Sequence, residues 1–359
     1  MQIINKFYKL LNVYIYFILF SLLIVFFSTT YLYANSFKVS NIEISAPFEL
    51  NFEKNSVIDD GFKISFLNLL TMITTSRDQS RIKNTPIKKI KEMIDSFTIA
   101  EEKFIDNEYF ANLDTTFNKK KVLKFLEKKN IFPSAPLKNK VLLLPILIDA
   151  EIESIYLFDN NQFYNQWNNE KNNFQLLEYL LPSEDLDDLN SIQNGMNDIE
   201  AYDFSSLIKK YDLKDYIILI IYKNKNEIKI LSKINLNNSL KIDNKKYSKI
   251  NLDNKQELEK IILDLKNNYE DQWKKNNEIN TSIKLPMTIS VNSKDYGKIS
   301  KVMNALENID LISEFYTLKF DSQKIQFKVI YNGSPKLFLK DMKKKNLVLI
   351  MTDKVWAVK

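Results

Sequence analysis

The chain has 359 residues, with 51 Lys and Arg against 45 Asp and Glu, a net charge of +6, four Gly, and neither His nor Cys. Without His and Cys it has no Ser-His-Asp or Cys-His catalytic unit, no Cys-zinc site and no disulfide, and its isolated glycines exclude a phosphate-binding Gly-rich loop. Lysines are mixed with acidic residues in runs such as LEKKN and DLKDY, which argues against the concentrated basic face that nucleic-acid binding needs.

The N-terminal residues have the pattern of an export signal. Lys6 and Lys9 precede the apolar run VYIYFILFSLLIVFF, and the more polar TTYLYANS follows it. We expect residues 1–34 to be either a signal peptide cleaved after Ala34 or a retained inner-membrane anchor, because residues 10–33 are long enough to span a bilayer. In both cases the positive-inside rule places the remaining chain in the periplasm, and the absence of Cys excludes a lipid anchor.

Residues 35–130 predict a small α+β domain. FKVSNIEIS alternates like a strand, with Phe37 and Val39 on one side and Ile42 and Ile44 on the other. DDGFKISFLNLLTMIT has helical spacing, with Asp59 or Asp60 as the cap. IKKIKEMIDSF predicts a shorter helix, FTIAEEKFI and EYFANLDTTF a pair of strands, and NKKKVLKFLEKKN a further amphipathic helix.

Residues 131–280 predict an α/β domain that follows the Pro-marked linker FPSAPLKN. KVLLLPILID is too apolar for a surface strand and predicts a central one, which we expect to bulge or end at Pro145 because proline has no N–H donor. DYIILIIYKNKNEIKILSKI predicts two strands joined by a turn. NKQELEKIILDLKNNYEDQWKKN predicts a helix capped by Asn254, and its apolar stripe is typical of a core-facing surface. The stripe comprises Leu258, Ile261, Ile262, Leu265, Tyr269 and Trp273.

Residues 281–359 give the clearest local pattern. Four segments have the pattern of strands: IKLPMTISV, FYTLKF, KIQFKVIY and NLVLIM. We expect a helix capped by Ser293 after the first strand and a helix that starts at Ser334-Pro335 after the third. The order βαββαβ predicts a ferredoxin-like sandwich. The fold class that follows is α+β: an N-terminal signal or anchor helix, then two or three small α/β sandwich-type domains.

YLLPSEDLDDLNSI, residues 179–192, is the acidic stretch. Four carboxylates lie within five positions: Glu184, Asp185, Asp187 and Asp188. An EF-hand starting at Asp185 would need an oxygen ligand, Gly and Glu where the chain has Leu189, Asn190 and Met196. A looser Ca²⁺ or Mg²⁺ site stays open as an alternative. The favoured interpretation is a helix start that Ser183 or Asp185 caps, with the other acids in the first turn, where the helix dipole favours negative charge.

A carboxylate pair for hydrolysis is the second alternative for the acidic stretch. Two carboxylates of a glycosidase flank the substrate from opposite sides, which neighbouring residues of one helical turn cannot do. A partner across a cleft, Glu151 or Glu153, would be required. We therefore assign no catalytic, cofactor-binding or metal-binding residue from the sequence.

Several segments, read in order, resemble the DUF2066 family of exported bacterial proteins. They are the signal segment before FKVSNIEIS, the helix with Phe66-Leu67-Asn68-Leu69-Leu70, FPSAPLKNKVLLLPILID, the acidic stretch, LIKKYDLKDYIILIIY and ISVNSKDYGKISKVMNALENIDLISEF. The family often has Arg and Gly where this chain has Lys or Asn. Residues 131–280 also resemble the N-terminal domain of TolB proteins at the level of fold, which does not establish function.

The resemblance implies an exported envelope protein and brings no catalytic residues with it. We expect a non-catalytic periplasmic protein that acts through contacts with an envelope protein partner, since small α/β modules with exposed sheet edges suit strand addition. A periplasmic small-solute-binding protein is the alternative, and a carboxylate-dependent hydrolase is a further one.

Overall fold

The computed structural model describes residues 37–169, 174–279, 283–352 and 355–359. The predicted signal or anchor at residues 1–34 lies outside these ranges. Within them, no helix is long and apolar enough to cross a membrane. The described chain is α+β, as predicted, with helices packed on three separate sheets. One sheet lies within each of the segments 35–130, 131–280 and 281–359, although the boundaries of these domains stay predictions.

The first sheet has three antiparallel strands in the order β1-β3-β2. The predicted strand pair FTIAEEKFI and EYFANLDTTF is confirmed as β2 and β3. The elements of this segment are β1 (Lys38–Pro47), α1 (Lys54–Ile73), α2 (Ser76–Ile82), α3 (Ile87–Met93), β2 (Ile94–Ile105), β3 (Glu108–Phe117) and α4 (Lys119–Lys128).

Strand β1 corrects the predicted alternation. A bulge between Val39 and Ile42 shifts the register, and Asn41 takes a left-handed φ of 58°, which asparagine tolerates better than most residues. Because the bulge adds one residue, Val39 and Ile42 both face the core, together with Phe37 and Ile44. The prediction from strict two-residue alternation is therefore wrong here, because that pattern cannot anticipate an inserted residue.

Helix α1 begins earlier than predicted. It starts at Lys54, and Glu53 holds the cap position without a side-chain bond, so neither Asp59 nor Asp60 caps it. Gly61 faces the sheet, where an added Cβ would lie 2.7 Å from the side chain of Leu113. The glycine lets the helix approach β3 closely, and the residues on this side of α1, among them Phe62, Phe66 and Leu69, are buried.

The middle sheet has the order β5-β4-β7-β8-β9, with β6 also paired to β4. β4 runs parallel to β6 and β7, and the other pairs are antiparallel. Its elements are β4 (Asn139–Asp149), β5 (Ser154–Tyr156), α5 (Gln162–Gln166), β6 (Leu177–Leu180), α6 (Leu186–Asn194), α7 (Ser205–Lys210), β7 (Tyr216–Asn224), β8 (Glu227–Leu236), β9 (Ser239–Ser248) and α8 (Lys255–Asn276).

Strand β4 is central and buried, as predicted, but it neither bulges nor ends at Pro145. Its pairing with β7 runs without a register shift through Pro145. On its other side, β6 pairs as far as Leu142 and β5 pairs only from Leu147. Pro145 falls in the gap between these two pairings, and the side chain of Asn161 donates to its carbonyl at 3.0 Å. The missing N–H therefore removes no bond from a continuous ladder.

Helices cover both faces of the middle sheet. The stripe of α8 is buried with α5 against one face, which confirms that it faces the core. Residues of α6 and α7 pack on the opposite face, against Leu142, Leu144, Ile218 and Ile220. β4 and β7 are thus apolar on both sides, as expected for strands enclosed between two layers.

The third sheet contains the predicted βαββαβ order and one strand more. β14 runs parallel to β10 and lies between β10 and β13, so β13 is moved to the edge. The cap of α9 is Asp295, which accepts from the N–H of Lys298, so the predicted cap Ser293 is wrong. The elements are β10 (Leu285–Asn292), α9 (Tyr296–Asn308), β11 (Ile312–Phe320), β12 (Lys324–Tyr331), α10 (Pro335–Lys344), β13 (Leu349–Thr352) and β14 (Val355–Val358).

Candidate functional site

The acidic stretch runs from the end of β6 into the start of α6. Asp185 caps α6, because its Oδ1 accepts from the N–H groups of Asp187 at 2.9 Å and Asp188 at 3.2 Å. This confirms the predicted helix start and selects Asp185 over Ser183 as the cap. Asp187 and Asp188 lie in the first turn, where their charge is favourable to the helix dipole.

A lysine of α7 holds two of the four acids together. Lys210 Nζ lies 2.8 Å from Asp185 Oδ2 and 2.8 Å from Asp188 Oδ1. The hydrogen bond from Lys210 is the main reason that the pKa of Asp185 is lowered. The ammonium group occupies the position between two carboxylates that a cation would take, and no group of three or more His, Cys, Asp or Glu side chains in the described ranges is arranged for a metal ion.

The other side of the acidic stretch borders a cavity of about 840 Å³, which we call the groove. A volume of this size lies within the range of ligand sites, about 300–1,000 Å³. One wall is residues 153–160, which include β5. The opposite wall is formed by Glu184, Asp185, Leu186, Leu189, Gln193 and Met196.

The groove meets β5 along its edge. Residues 154–157 are consecutive and all border it, although neighbouring side chains of a strand point to opposite faces of the sheet. β5 is also the outermost strand on its side of the middle sheet within the described residues. On the opposite wall, Leu186, Leu189 and Gln193 are spaced three and four residues apart and so share one face of α6.

The groove has an apolar floor and a polar rim. Ile155, Leu157 and Phe158 are buried beneath it, and Leu189 is half-buried beside them. At the rim, the acids Glu153 and Glu184 are exposed, and Leu186 beside them is 76% exposed. The groove is therefore an open channel with an apolar base, which suits an elongated ligand better than an enclosed solute.

Asn161 fixes the shape of the β5 wall. Its side chain is fully buried, and its Nδ2 donates to the carbonyls of Pro145 at 3.0 Å and Tyr156 at 3.2 Å. Its Oδ1 accepts from the N–H groups of Phe163 at 2.9 Å and Tyr164 at 3.5 Å, which caps α5. One amide thus joins β4, β5 and α5, and it satisfies buried backbone groups that no strand reaches.

The charge of the groove is negative. Its lining contains Glu153, Asp159, Glu184 and Asp185 and no basic residue, although the whole chain has more Lys and Arg than Asp and Glu. Lys210 pairs with Asp185. For the side chains of Glu153, Asp159 and Glu184 there is no ion-pair partner among the described residues. Burial raises the pKa of Tyr164, and the nearby carboxylates of Asp159 and Glu184 raise it further.

The structure brings one of the two predicted partner carboxylates to the groove. Glu153 lines it opposite Glu184 and Asp185, whereas Glu151 does not. The general acid of a glycosidase is a carboxyl group kept protonated by apolar surroundings. Glu153 and Glu184 are both exposed at the rim, so neither has the apolar surroundings of such a group.

A second, smaller cleft of about 340 Å³ contains the only two arginines of the chain, Arg77 and Arg81. Arg81 is held by Asp78 at 3.1 Å and by the carbonyl of Lys129 at 2.9 Å. Asp271 accepts from the backbone and hydroxyl of Ser76. These bonds join α2 to α8 and to the residue that follows α4.

The sequence indicated the carboxylates of α6 but not the groove. Lys210, Asp159 and Asn161 have no local pattern that marks them, except that the polar run DNNQ indicates a turn after β5.

A scan against protein-family models finds no match to this chain, and a search of curated proteins finds none either.

Proposed function

We propose that this chain is an exported cell-envelope protein that acts in the periplasm by binding another protein and has no catalytic turnover. The resemblance to the DUF2066 family and the N-terminal segment support export. The observation that carries the binding function is the groove, because an open strand edge faces a helix across an apolar floor. This combination supplies both backbone and side-chain contacts to an extended partner.

The alternative is a solute-binding protein, which the size of the groove favours. Small-molecule sites normally enclose most of the ligand surface. Leu186 at the rim is 76% exposed and β5 has no further strand paired on its outer side within the described residues, so a protein partner uses more of this surface. Native mass spectrometry of the purified full-length chain distinguishes the two, because retention of one defined small molecule would favour the solute.

Site-specific photo-crosslinking tests the protein partner. A photoreactive residue in place of Leu186 should give a discrete protein adduct in the native envelope. The matched control replaces Leu240, an equally apolar residue that is 63% exposed on β9; β9 is the strand at the opposite edge of the middle sheet. Adducts that are the same at both positions would argue against a specific surface.

Turnover assays test the absence of catalysis. The purified full-length chain should not hydrolyse peptidoglycan, glycan or peptide substrates. Hydrolysis that is lost in Asp187→Asn/Asp188→Asn or in Glu153→Gln/Glu184→Gln would overturn the proposal. An alkaline carbonate wash separately tests attachment, because release of the protein would exclude a retained anchor at residues 10–33.

A further inference from the structure

The outer edge of β5 is suited to accept another strand. β5 has only three residues and is the last strand on its side of the described sheet. Such an edge presents unpaired backbone groups to a second chain. α6 lies across the groove from this edge, so an added strand would be enclosed between a strand and a helix, which is a recurring way of binding extended peptides.

The two faces of an added strand would meet different surroundings. Ile155 and Leu157 are two residues apart and belong to the same buried cluster as Ile192 of α6. Alternate side chains of the incoming segment would therefore point toward the apolar floor and Leu189. The intervening side chains would point to the other face of the sheet. This geometry selects a segment that is apolar at every second position.

Charge determines the rest of the partner. Glu153 immediately precedes β5 and Asp159 follows it, so one acidic side chain lies near each end of the strand, while Glu184 lies on the opposite wall. Because these three carboxylates have no ion-pair partner among the described residues, they are available to a cationic ligand. An acidic segment would be repelled, so the rim selects a partner by the sign of its charge as well as by its shape.

We propose that the groove binds an extended basic segment of a partner protein, which adds as a further strand along the outer edge of β5. The inference rests on the function proposed above, because it names the partner chemistry of the same groove. The segment has Lys or Arg near both ends and apolar residues at alternate positions between them. Binding of a second copy of this chain, or of an acidic or helical partner, in place of this segment would contradict the proposal.

The probe for this interaction is a labelled heptapeptide, acetyl-Lys-Val-Thr-Val-Thr-Val-Lys-amide, titrated into the full-length chain in detergent. Binding should be saturable and should weaken as salt increases, because the contacts at the rim are exposed. A matched peptide with Glu in place of both Lys should bind about tenfold more weakly, since several exposed pairs change sign. Equal binding of the two peptides would overturn the basic specificity.

Backbone methylation tests strand addition on the ligand and leaves the protein unchanged. Alternate N–H groups of an antiparallel strand point to its two sides. One peptide is therefore N-methylated at its three Val residues and another at its two Thr residues. Only one of them should lose binding, by at least tenfold. If both bind as well as the parent peptide, the segment does not pair with β5.

Variants of the protein test the rim. Glu153→Gln/Asp159→Asn/Glu184→Gln should weaken the basic peptide about tenfold and leave the circular dichroism spectrum unchanged. Asp187→Asn is the matched control, because Asp187 is an exposed acid of α6 that does not line the groove. Because the variant removes three charges and the control one, equal weakening per charge removed would show that only net charge matters.

The two proposals fail in different ways. If no basic peptide binds but the residue at position 186 still crosslinks to one protein, the binding function stands and the strand-addition inference is wrong. If the peptide binds and the chain also hydrolyses an envelope substrate at the same groove, the inference stands and the non-catalytic function is wrong.

Discussion

Two groups of charges in the middle segment have opposite surroundings. The acidic stretch has four carboxylates close together in the sequence, and apart from Asp188 its acids lie at the surface, where Asp185 caps a helix. Lys266, Glu270 and Lys274 of α8 occur in the ordinary polar run DLKNNYEDQWKKN, yet they are 5%, 3% and 3% exposed. A dense cluster of charge in the sequence therefore indicated surface, while charges that resembled a solvated face are buried.

Within the buried group of α8, Glu270 and Lys274 form a loose pair. Glu270 Oε1 accepts from the N–H groups of Leu176 at 2.8 Å and Leu177 at 2.7 Å. Its Oε2 lies 3.7 Å from Lys274 Nζ, too long for a good hydrogen bond. Lys266 lies over the rings of Trp167 and Tyr179, about 6 Å from each centroid. Burial raises the pKa of Glu270 and lowers the pKa of Lys274, so each charge depends on the other.

The largest effect is expected from breaking this pair. Lys274→Met leaves Glu270 buried without its cation and should reduce the free energy of unfolding by about 3 kcal/mol. The loss should depend on pH. The pKa of Glu270 is raised in the folded state, so ionising this carboxyl destabilises the folded protein. This loss of stability is absent below the unfolded-state pKa, about 4.3, and it grows as the pH rises above that value. Urea unfolding midpoints at acidic and neutral pH measure both effects.

The double variant Glu270→Gln/Lys274→Met is the control. Gln keeps an oxygen acceptor for the two backbone N–H groups and removes the lone charge, so most of the stability should return. Lys275→Met, at the exposed neighbouring position, should have little effect. A double variant no more stable than Lys274→Met would mean that Lys274 contributes through packing and not through its charge.

The same contrast explains which parts of the fold the sequence could predict. The strand pairs β2–β3, β7–β8 and β11–β12 were predictable, because each consists of two runs that are either alternating or continuously apolar, joined by a polar turn. β9 was missed, since most of its side chains are exposed and it has no apolar alternation. β14 was missed because its place between β10 and β13 depends on pairing with distant strands.

The site was predictable only where its cause is local. The cap of α6 depends on three neighbouring residues, Asp185, Asp187 and Asp188, and the sequence indicated it. The groove depends on bringing residues 153–160 beside α6, which requires the long-range pairing of β5 and β6 with β4 and the shared buried cluster of Ile155, Leu157 and Ile192. The ion pairs of Lys210 and the two carbonyl contacts of Asn161 are long-range in the same sense, so no local spacing could indicate them.

An intermediate effect is expected at Asn161, which ties the wall of the groove to the core. Asn161→Ala leaves the carbonyls of Pro145 and Tyr156 without this donor and removes the cap of α5. The free energy of unfolding should fall by about 2 kcal/mol, and binding of the basic heptapeptide should fall with it because β5 loses its position. Asn190→Ala, at an exposed site of α6 that does not line the groove, should lower neither the urea midpoint nor the peptide affinity.

The smallest effect is expected in the acidic stretch, at the helix cap. Asp185→Ala removes the acceptor for two N–H groups and the contact with Lys210. The pKa of Asp185 is lowered from 3.8, so its contribution is present above that pH and is lost as the pH falls below it. The variant should therefore be slightly less stable than the parent at neutral pH and equal to it in strong acid. Thermal midpoints across this pH range measure the difference. Asp187 caps no helix, so the thermal midpoint of Asp187→Ala should not approach that of the parent as the pH falls. If the two midpoints do approach each other, the charges of the first turn, and not the Asp185 cap, stabilise α6.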